Sequence, residues 1–262
     1  IIRPFTIQKE EIERALKNPY SVEQCVDKAF RQNLFNVGSD THIEYNGLQI
    51  INRQVIIDYL KRLLLIDKDS APFKILGLEK LVEAPIVFKT PQGERPIIIF
   101  GSIDRLDQVN LAEGPTIRVI DYKTGNNDKM SVKELGDIFS GKKLANHTDY
   151  YLQAMLYASI IRSKKDPDGR RVYDTDNLPV SPSLLFIQHA GDKVLPLKIG
   201  KDFITDIEKY ENEEGDANID NFEENIRNTL SEIFDPEVAL SATEDIKQCE
   251  HCPYARICCG KR

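Results

Sequence analysis

The 262-residue chain has no tryptophan and only five cysteines, four histidines and two methionines. No apolar run approaches the roughly 18 residues of a membrane-spanning helix, and no charged segment leading into an apolar one opens the sequence. A membrane partner is therefore not expected. The cysteines (Cys25, Cys249, Cys252, Cys258 and Cys259) are odd in number, and four of them crowd into the tail. That pattern is no disulfide framework. It points to a reducing, cytoplasmic compartment and to a metal or cluster site. The first residue is Ile1 rather than Met, so the chain is expected to be a piece of a longer protein. Hydrophobic residues make up 41% of the chain, and the 14 glycines bring it into the globular range. A chain of this size buries about 73% of its extended surface and needs no cross-link to fold. Disordered, collagen-like and disulfide-scaffold classes are excluded.

The net charge of −7 conceals an asymmetry. From Lys123 to Arg171 there are 10 Lys/Arg against 6 Asp/Glu, and from Lys201 to Glu250 there are 4 against 16. A polyanion could meet the first stretch and would be repelled by the second. Ordinary solvated faces would give the same count.

Three-to-four spacing predicts helices over Glu10–Leu16, Val22–Leu34 and Ile51–Leu65, the last with a Val55, Tyr59, Leu63 stripe. Ser21 is a plausible N-cap after Pro19, and 38–46 is a polar break. Short β runs follow over Phe73–Glu79, Ala84–Lys89, Pro96–Gln108 and Thr116–Lys123, divided by turn signals. Ile97-Ile98-Ile99-Phe100, apolar on both faces, is expected centrally in a covered sheet. A helix over Thr148–Ser163, strands over Ser183–His189 and Lys193–Ile199, an acidic loop at 211–216 and an amphipathic helix carrying Phe222, Ile226, Leu230 and Ile233 complete the series. One α/β domain with helical flanks is the simplest account.

Two neighbouring strands each end an apolar run on a carboxylate, in Gly101-Ser102-Ile103-Asp104-Arg105-Leu106-Asp107 and in Val119-Ile120-Asp121-Tyr122-Lys123-Thr124-Gly125. Asp121 and Lys123, two apart on a strand, share a face. If Asp104 lies across from Asp121, two carboxylates and an ammonium converge. Such a trio suits metal-assisted phosphodiester hydrolysis. Two carboxylates can hold Mg2+ or Mn2+, the ion activates a water, and the lysine stabilises developing charge. Turn chemistry at Lys123-Thr124-Gly125 and a plain Asp104–Arg105 ion pair are the alternatives for either segment alone.

These two segments, followed by Gln153-Ala154-Met155-Leu156-Tyr157, resemble the PD-(D/E)xK nuclease superfamily in its RecB-like branch. The resemblance implies an α/β, restriction-endonuclease-like core: a mixed central β-sheet flanked by helices, with an N-terminal helical region and a Cys-rich C-terminal tail. It implies one domain over 1–262, divided into a helical region (1–70), a catalytic core (71–200) and a C-terminal helix and tail (201–262). Asp104, Asp121 and the backbone carbonyl of Tyr122 would be metal ligands and Lys123 the catalytic lysine. Gln153 and Tyr157, on one helical face, would contact DNA or brace the centre. Arg105 and Asp107 are expected to form a structural pair. Glu79, His42 and His147 are further candidates.

The tail places Cys249, Cys252 and Cys258 in a C-x2-C-x5-C pattern able to wrap one metal centre. It resembles the C-terminal part of the iron–sulfur staple of AddB-type helicase–nucleases, which implies a [4Fe–4S] cluster. Zinc with His251, or simple thiols, are the alternatives. Cys25 lacks the family's Cys-Pro-aromatic context and is expected to be a buried helix residue. Gly38 to His42 fits the family's Gly-x-x-x-His letters but heads into a turn. A cluster ligand and the motif histidine are then expected upstream of Ile1, leaving this piece weakly active or inactive. The resemblance as a whole implies a Mg2+- or Mn2+-dependent deoxyribonuclease, more an exonuclease than an endonuclease. It would process double-strand ends for recombinational repair beside a helicase partner subunit. A nuclease-like DNA-binding module without turnover, and a stand-alone CRISPR-adaptation nuclease, are the alternatives.

Overall fold

Three helices lead into the main sheet, and each starts where a side chain satisfies its free N–H groups. The computed structural model describes residues 4–38, 41–124, 132–140, 147–163, 173, 175, 177–188, 194–209, 219–239, 241, 249–250 and 252–258. After strand β1 (Phe5–Ile7), helix α1 (Lys9–Lys17) begins where the Gln8 N–H donates to Glu11 Oε2. Helix α2 (Pro19–Ala29) is capped by Asn18, whose Oδ1 accepts from the Tyr20 N–H, and proline stands at the first helical position. The cap is thus Asn18 and not Ser21, whose hydroxyl donates back to the Ala15 and Asn18 carbonyls. A π-helical turn, Phe30–Leu34, continues α2.

Helix α3 (Gly47–Ser70) opens on a reciprocal box between Asn46 and Gln49. Its buried residues are Ile57 and Ile66, while Val55 is exposed, so the expected Val55–Tyr59–Leu63 stripe is not its core face. The reason is that α3 serves two partners. Ile57 and Leu60 pack on Val22 and Val26 of α2 and on Phe30 of the π-helical turn, whereas Leu63 and Ile66 pack on the sheet. One stripe cannot describe a helix with two buried sides. No described helix is long and apolar enough to cross a membrane.

Among the described residues the main sheet has six strands in the order β1-β2-β3-β4-β5-β6, where β2 is Phe73–Thr90, β3 Gly93–Leu111, β4 Gly114–Lys123, β5 Val180–Phe186 and β6 Leu195–Pro196. Of these six, β4 and β5 run parallel and the other neighbours antiparallel. A parallel neighbour requires a crossover. The chain between β4 and β5 includes α4 (Gly136–Phe139) and α5 (Thr148–Ser163). Strands β7 (Lys198–Ile199) and β8 (Asp202–Phe203) pair separately, and α6 (Ile219–Ile233) follows. All seven residues of β5 are buried, as the covered middle of a mixed sheet requires. On β4, Ile117 and Val119 face the α5 and α6 layer, and Ile120 faces α3. The result is the expected mixed sheet flanked by helices.

Several boundaries differ from expectation. The runs 73–79 and 84–89 belong to one strand, β2, which with β3 forms a hairpin reaching well past β4. Ile97–Phe100 lies on that extension, so it is not central: Ile98 is 66% and Phe100 78% exposed. The α5 and α6 layer covers Val82 and Ile99 there, and Phe88 packs on Phe234 (ring centroids 5.2 Å apart), but the opposite face is open. Strand β5 starts three residues earlier than expected, and His189 lies outside the described residues. The expected strand 193–199 is two pairs of residues, because β6 bonds to β5 and β7 to β8. Lys193 and the acidic segment 211–216 also fall outside the described residues. In α6, Phe222 is fully buried against Phe139, a burial contributing roughly 1.5–3 kcal/mol. Ile233, at the end of that stripe, is exposed.

Candidate active site

The two acidic segments meet where β3 and β4 part. Their ladder runs from Leu111↔Gly114 to Arg105↔Ile120, so Asp104 and Asp121 occupy the next step across from each other. There the Asp104 carboxylate takes over the ladder's task, its Oδ2 accepting from the Tyr122 N–H at 2.6 Å. Strand alternation slips at the same point. Ile103 and Leu106 are an odd number of residues apart, yet both sit in the cluster beneath α5. On β2 the residue in register with Asp104 is Glu79, between Leu78↔Arg105 and Lys80↔Ile103, and its φ is +47°. A local irregularity of this kind re-aims side chains at a sheet's functional edge. It sends Arg105 to the α3 side of the sheet.

Asp121 and Lys123 point the same way from β4, as residues two apart must. Lys123 Nζ lies 2.6 Å from Asp121 Oδ2 and donates to Gln153 Oε1 at 2.7 Å. Gln153 Nε2 in turn donates to the Tyr157 hydroxyl at 3.2 Å. Gln153 and Tyr157 stand one turn apart on α5 and reach the strands as a unit. Tyr157 lies so close to β3 that a Cβ on Gly101 would meet its hydroxyl oxygen at 2.5 Å. Glycine at that position is a packing requirement. Tyr150, also on α5, places its ring centroid 4.4 Å from Lys123 Nζ.

The site is short of positive charge. Burial pushes the Asp121 carboxyl above its ordinary range, the Lys123 ammonium pulls it back, and Asp104 pushes it up again. Asp121 Oδ2 is buried with the ammonium beside it, but no hydrogen bond of ordinary geometry from the described residues reaches it. Two carboxylates against one ammonium, with an under-satisfied buried oxygen, are a donor set that fits a hard divalent cation. No three His, Cys, Asp or Glu side chains among the described residues converge to hold a metal. Further coordination would fall to backbone oxygen and water, which Mg2+ in particular favours.

The other candidates are dispersed. Glu79 is exposed and accepts from Ser102 Oγ at 3.4 Å. His42 is exposed in the loop 41–46, which Tyr45 anchors to α2 and α3, and no contact among the described residues links it to the carboxylates. His147 adjoins the site, its ring stacked on Tyr150 at 4.7 Å and 11°. Cys252 and Cys258 are exposed and Cys249 half-buried. Cys25 is on a helix as expected but exposed, because it faces away from the α2–α3 contact that Val22 and Val26 make. Gly125, His251 and Cys259 lie outside the described residues.

Arg105 and Asp107 form the expected structural pair, within a larger buried network that also takes in Asp67 and Arg118. Tyr150 is not among the residues expected from the sequence. Its signal was available, since it precedes Gln153 by three residues and such pairs share a helix face.

No curated protein matches the chain significantly. Residues 6–259, nearly its whole length and the entire site, match the family model of the PD-(D/E)XK nuclease superfamily, and the chain belongs to that superfamily.

Proposed function

We propose that the chain is a Mg2+- or Mn2+-dependent deoxyribonuclease that hydrolyses DNA phosphodiester bonds at Asp104, Asp121 and Lys123. The observation that carries this reading is the placement of Lys123 Nζ 2.6 Å from Asp121 Oδ2, on the strand end directly across from Asp104. In the proposed site the two carboxylates and the Tyr122 backbone carbonyl hold the cation. A bound divalent ion of this kind supplies Lewis acidity and a water of lowered pKa. Lys123 sets a positive charge where negative charge grows on the phosphoryl oxygens. Gln153 holds Lys123, and Tyr157 holds Gln153. DNA is the binding partner of such an enzyme.

Within the superfamily we place the chain in the RecB-like branch, as the C-terminal nuclease domain of an AddB-type subunit, one domain over 1–262. Its work would be exonucleolytic processing of double-strand ends for repair, beside a helicase partner in the cytoplasm. The resemblance of its three segments and its tail supports this. The tail would contribute Cys249, Cys252 and Cys258 to a [4Fe–4S] cluster. A tight turn, in which the Cys252 N–H donates to the Cys249 carbonyl at 3.3 Å, draws the first two together.

The test is degradation of linear DNA in Mg2+ by the wild type and by Asp121→Ala and Lys123→Ala. Loss of cleavage in both variants, with unchanged circular dichroism, supports the reading. Undiminished cleavage would overturn the site, and binding without cleavage by the wild type would make the chain a DNA-binding module. Iron analysis of anaerobically purified protein tests the cluster.

A further inference from the structure

Tyr150 occupies the first turn of α5, one turn before Gln153, and its half-buried ring is the third group around the Lys123 ammonium. The other two are Asp121 at 2.6 Å and Gln153 at 2.7 Å. The ring is itself held from the side. Phe186, at the end of β5, approaches it at 6.2 Å and 49°, and the His147 ring lies nearly parallel to it. His147 makes that stack from a φ of +57°, a backbone conformation that non-glycine residues adopt only at a cost. No hydrogen bond among the described residues uses the Tyr150 hydroxyl. What the residue presents to its surroundings is an aromatic face.

A cation over such a face is attracted by the ring quadrupole, more strongly where water is excluded. Lysine has four rotatable bonds and loses much freedom when fixed in one pose. Of its three contacts, Asp121 is the one the proposed cation would also claim. Gln153 and the Tyr150 ring are the two that remain committed to the lysine.

We propose that Tyr150, braced by His147 and Phe186, is a positioning residue that holds the Lys123 ammonium in place for hydrolysis. The inference rests on the nuclease reading, because it assigns Lys123 a task for which its position matters.

The test replaces Tyr150 with phenylalanine, with phenylalanines carrying one, two and three ring fluorines, and with leucine. Fluorination drains the ring face of negative charge while nearly preserving its shape. The expected kcat for linear DNA in Mg2+ is near wild type for Tyr150→Phe. It then falls stepwise with each fluorine, reaching roughly tenfold at three fluorines and in Tyr150→Leu, with KM within about twofold. Lysine side-chain NMR supplies a readout apart from turnover. The Lys123 ε-methylene protons should resonate upfield in the wild type and Tyr150→Phe, and return toward the ordinary lysine position in Tyr150→Leu. A kcat flat across the fluorinated series, or an ε resonance unmoved by leucine, overturns the proposal. A wild type that never cleaves overturns the nuclease reading instead, while the NMR arm still decides whether the ring holds the ammonium.

Discussion

Four consecutive residues, Asp104 to Asp107, help to build two charged clusters on opposite sides of the sheet, and the two are assembled on different principles. On the α3 side, Arg105 and Arg118 both close on Asp107, which is 0% exposed, and Arg105 reaches Asp67 as well. Charges balance there, two against two, through forked guanidinium contacts that suit buried carboxylates. On the α5 side, Lys123 pairs with Asp121 alone, Asp104 takes the Tyr122 N–H, and Asp121 is pushed toward its neutral form by burial. The first cluster is balanced in charge from within, although Arg105 Nη2, 2.6 Å from Asp107 Oδ2, makes no hydrogen bond of ordinary geometry among the described residues. The second is short by about one positive charge, which the proposed cation would supply.

The comparison predicts opposite consequences for similar substitutions. Asp121→Asn and Lys123→Ala should each lower kcat by roughly a thousandfold or more, the scale seen when a group acting on transition-state charge is removed. Asp121→Asn should not lower stability in metal-free buffer, since it relieves a buried carboxylate, whereas Lys123→Ala leaves Asp121 buried without its ammonium and should lower stability somewhat; urea unfolding alongside turnover is the check. Asp107→Ala should do the reverse. It leaves the buried Arg118 guanidinium without a carboxylate and Arg105 with Asp67 alone, and should cost about 3–5 kcal/mol, shifting the urea midpoint well before any loss of kcat in the folded fraction. A destabilised Asp121→Asn, or a stable Asp107→Ala, would erase the distinction.

Magnesium should separate the clusters again. A ligand that binds only the folded state at a hundred times its dissociation constant adds about 2.7 kcal/mol. Thermal unfolding of the wild type should therefore rise with Mg2+, that of Asp121→Asn should not, and Asp67→Asn should respond like the wild type. Gly101→Ala should have a smaller effect, about 1–3 kcal/mol of overpacking. It drives a methyl group into the Tyr157 hydroxyl and, through Gln153, disturbs Lys123. Lower kcat together with a modest stability loss is the expected pair of changes, and Tyr157→Phe in the same background should recover part of the stability.

The α5-side cluster was largely legible in the sequence because strand periodicity determines it. Asp121 and Lys123 are two residues apart, and antiparallel pairing brings Asp104 across from Asp121. Helix periodicity did the same for Gln153 and Tyr157. The α3-side network was legible only as its local pair. Asp67 and Arg118 join it from α3 and β4, and no spacing rule connects residue 67 to residue 105. The exposed hairpin failed for a related reason. Four consecutive apolar residues mean burial on both faces only where neighbouring layers extend that far, and β4 ends its pairing at Arg105. Glu79 was seen as a strand end, whereas it is a left-handed residue inside a longer strand. Such a conformation in a non-glycine residue leaves no trace in composition. The roles of Gly101 and Tyr150 both depend on a helix lying across the sheet, a distance that sequence alone does not supply.

The smallest expected effect concerns pH and again sets the networks apart. Burial raises the Asp67 carboxyl above its ordinary 3.8, even though the Arg105 guanidinium beside it pulls the other way. An acid whose folded-state pKa exceeds its unfolded value holds its proton longer in the native state. Its contribution to stability is complete below the unfolded value and is lost as pH rises through the folded one. Between pH 3.8 and the raised folded value, Asp67 should therefore oppose the general gain in stability that other carboxylates give on ionising. Asp67→Asn removes that opposition, so the variant's stability should climb more steeply across that window than the wild type's, whatever the constant offset from the lost ion pair. Urea midpoints at half-unit pH steps from 3.5 to about 6 would resolve the slope. Parallel curves would show that Arg105 holds Asp67 ionised throughout, and that the α3-side network is even more thoroughly neutralised than its contacts imply.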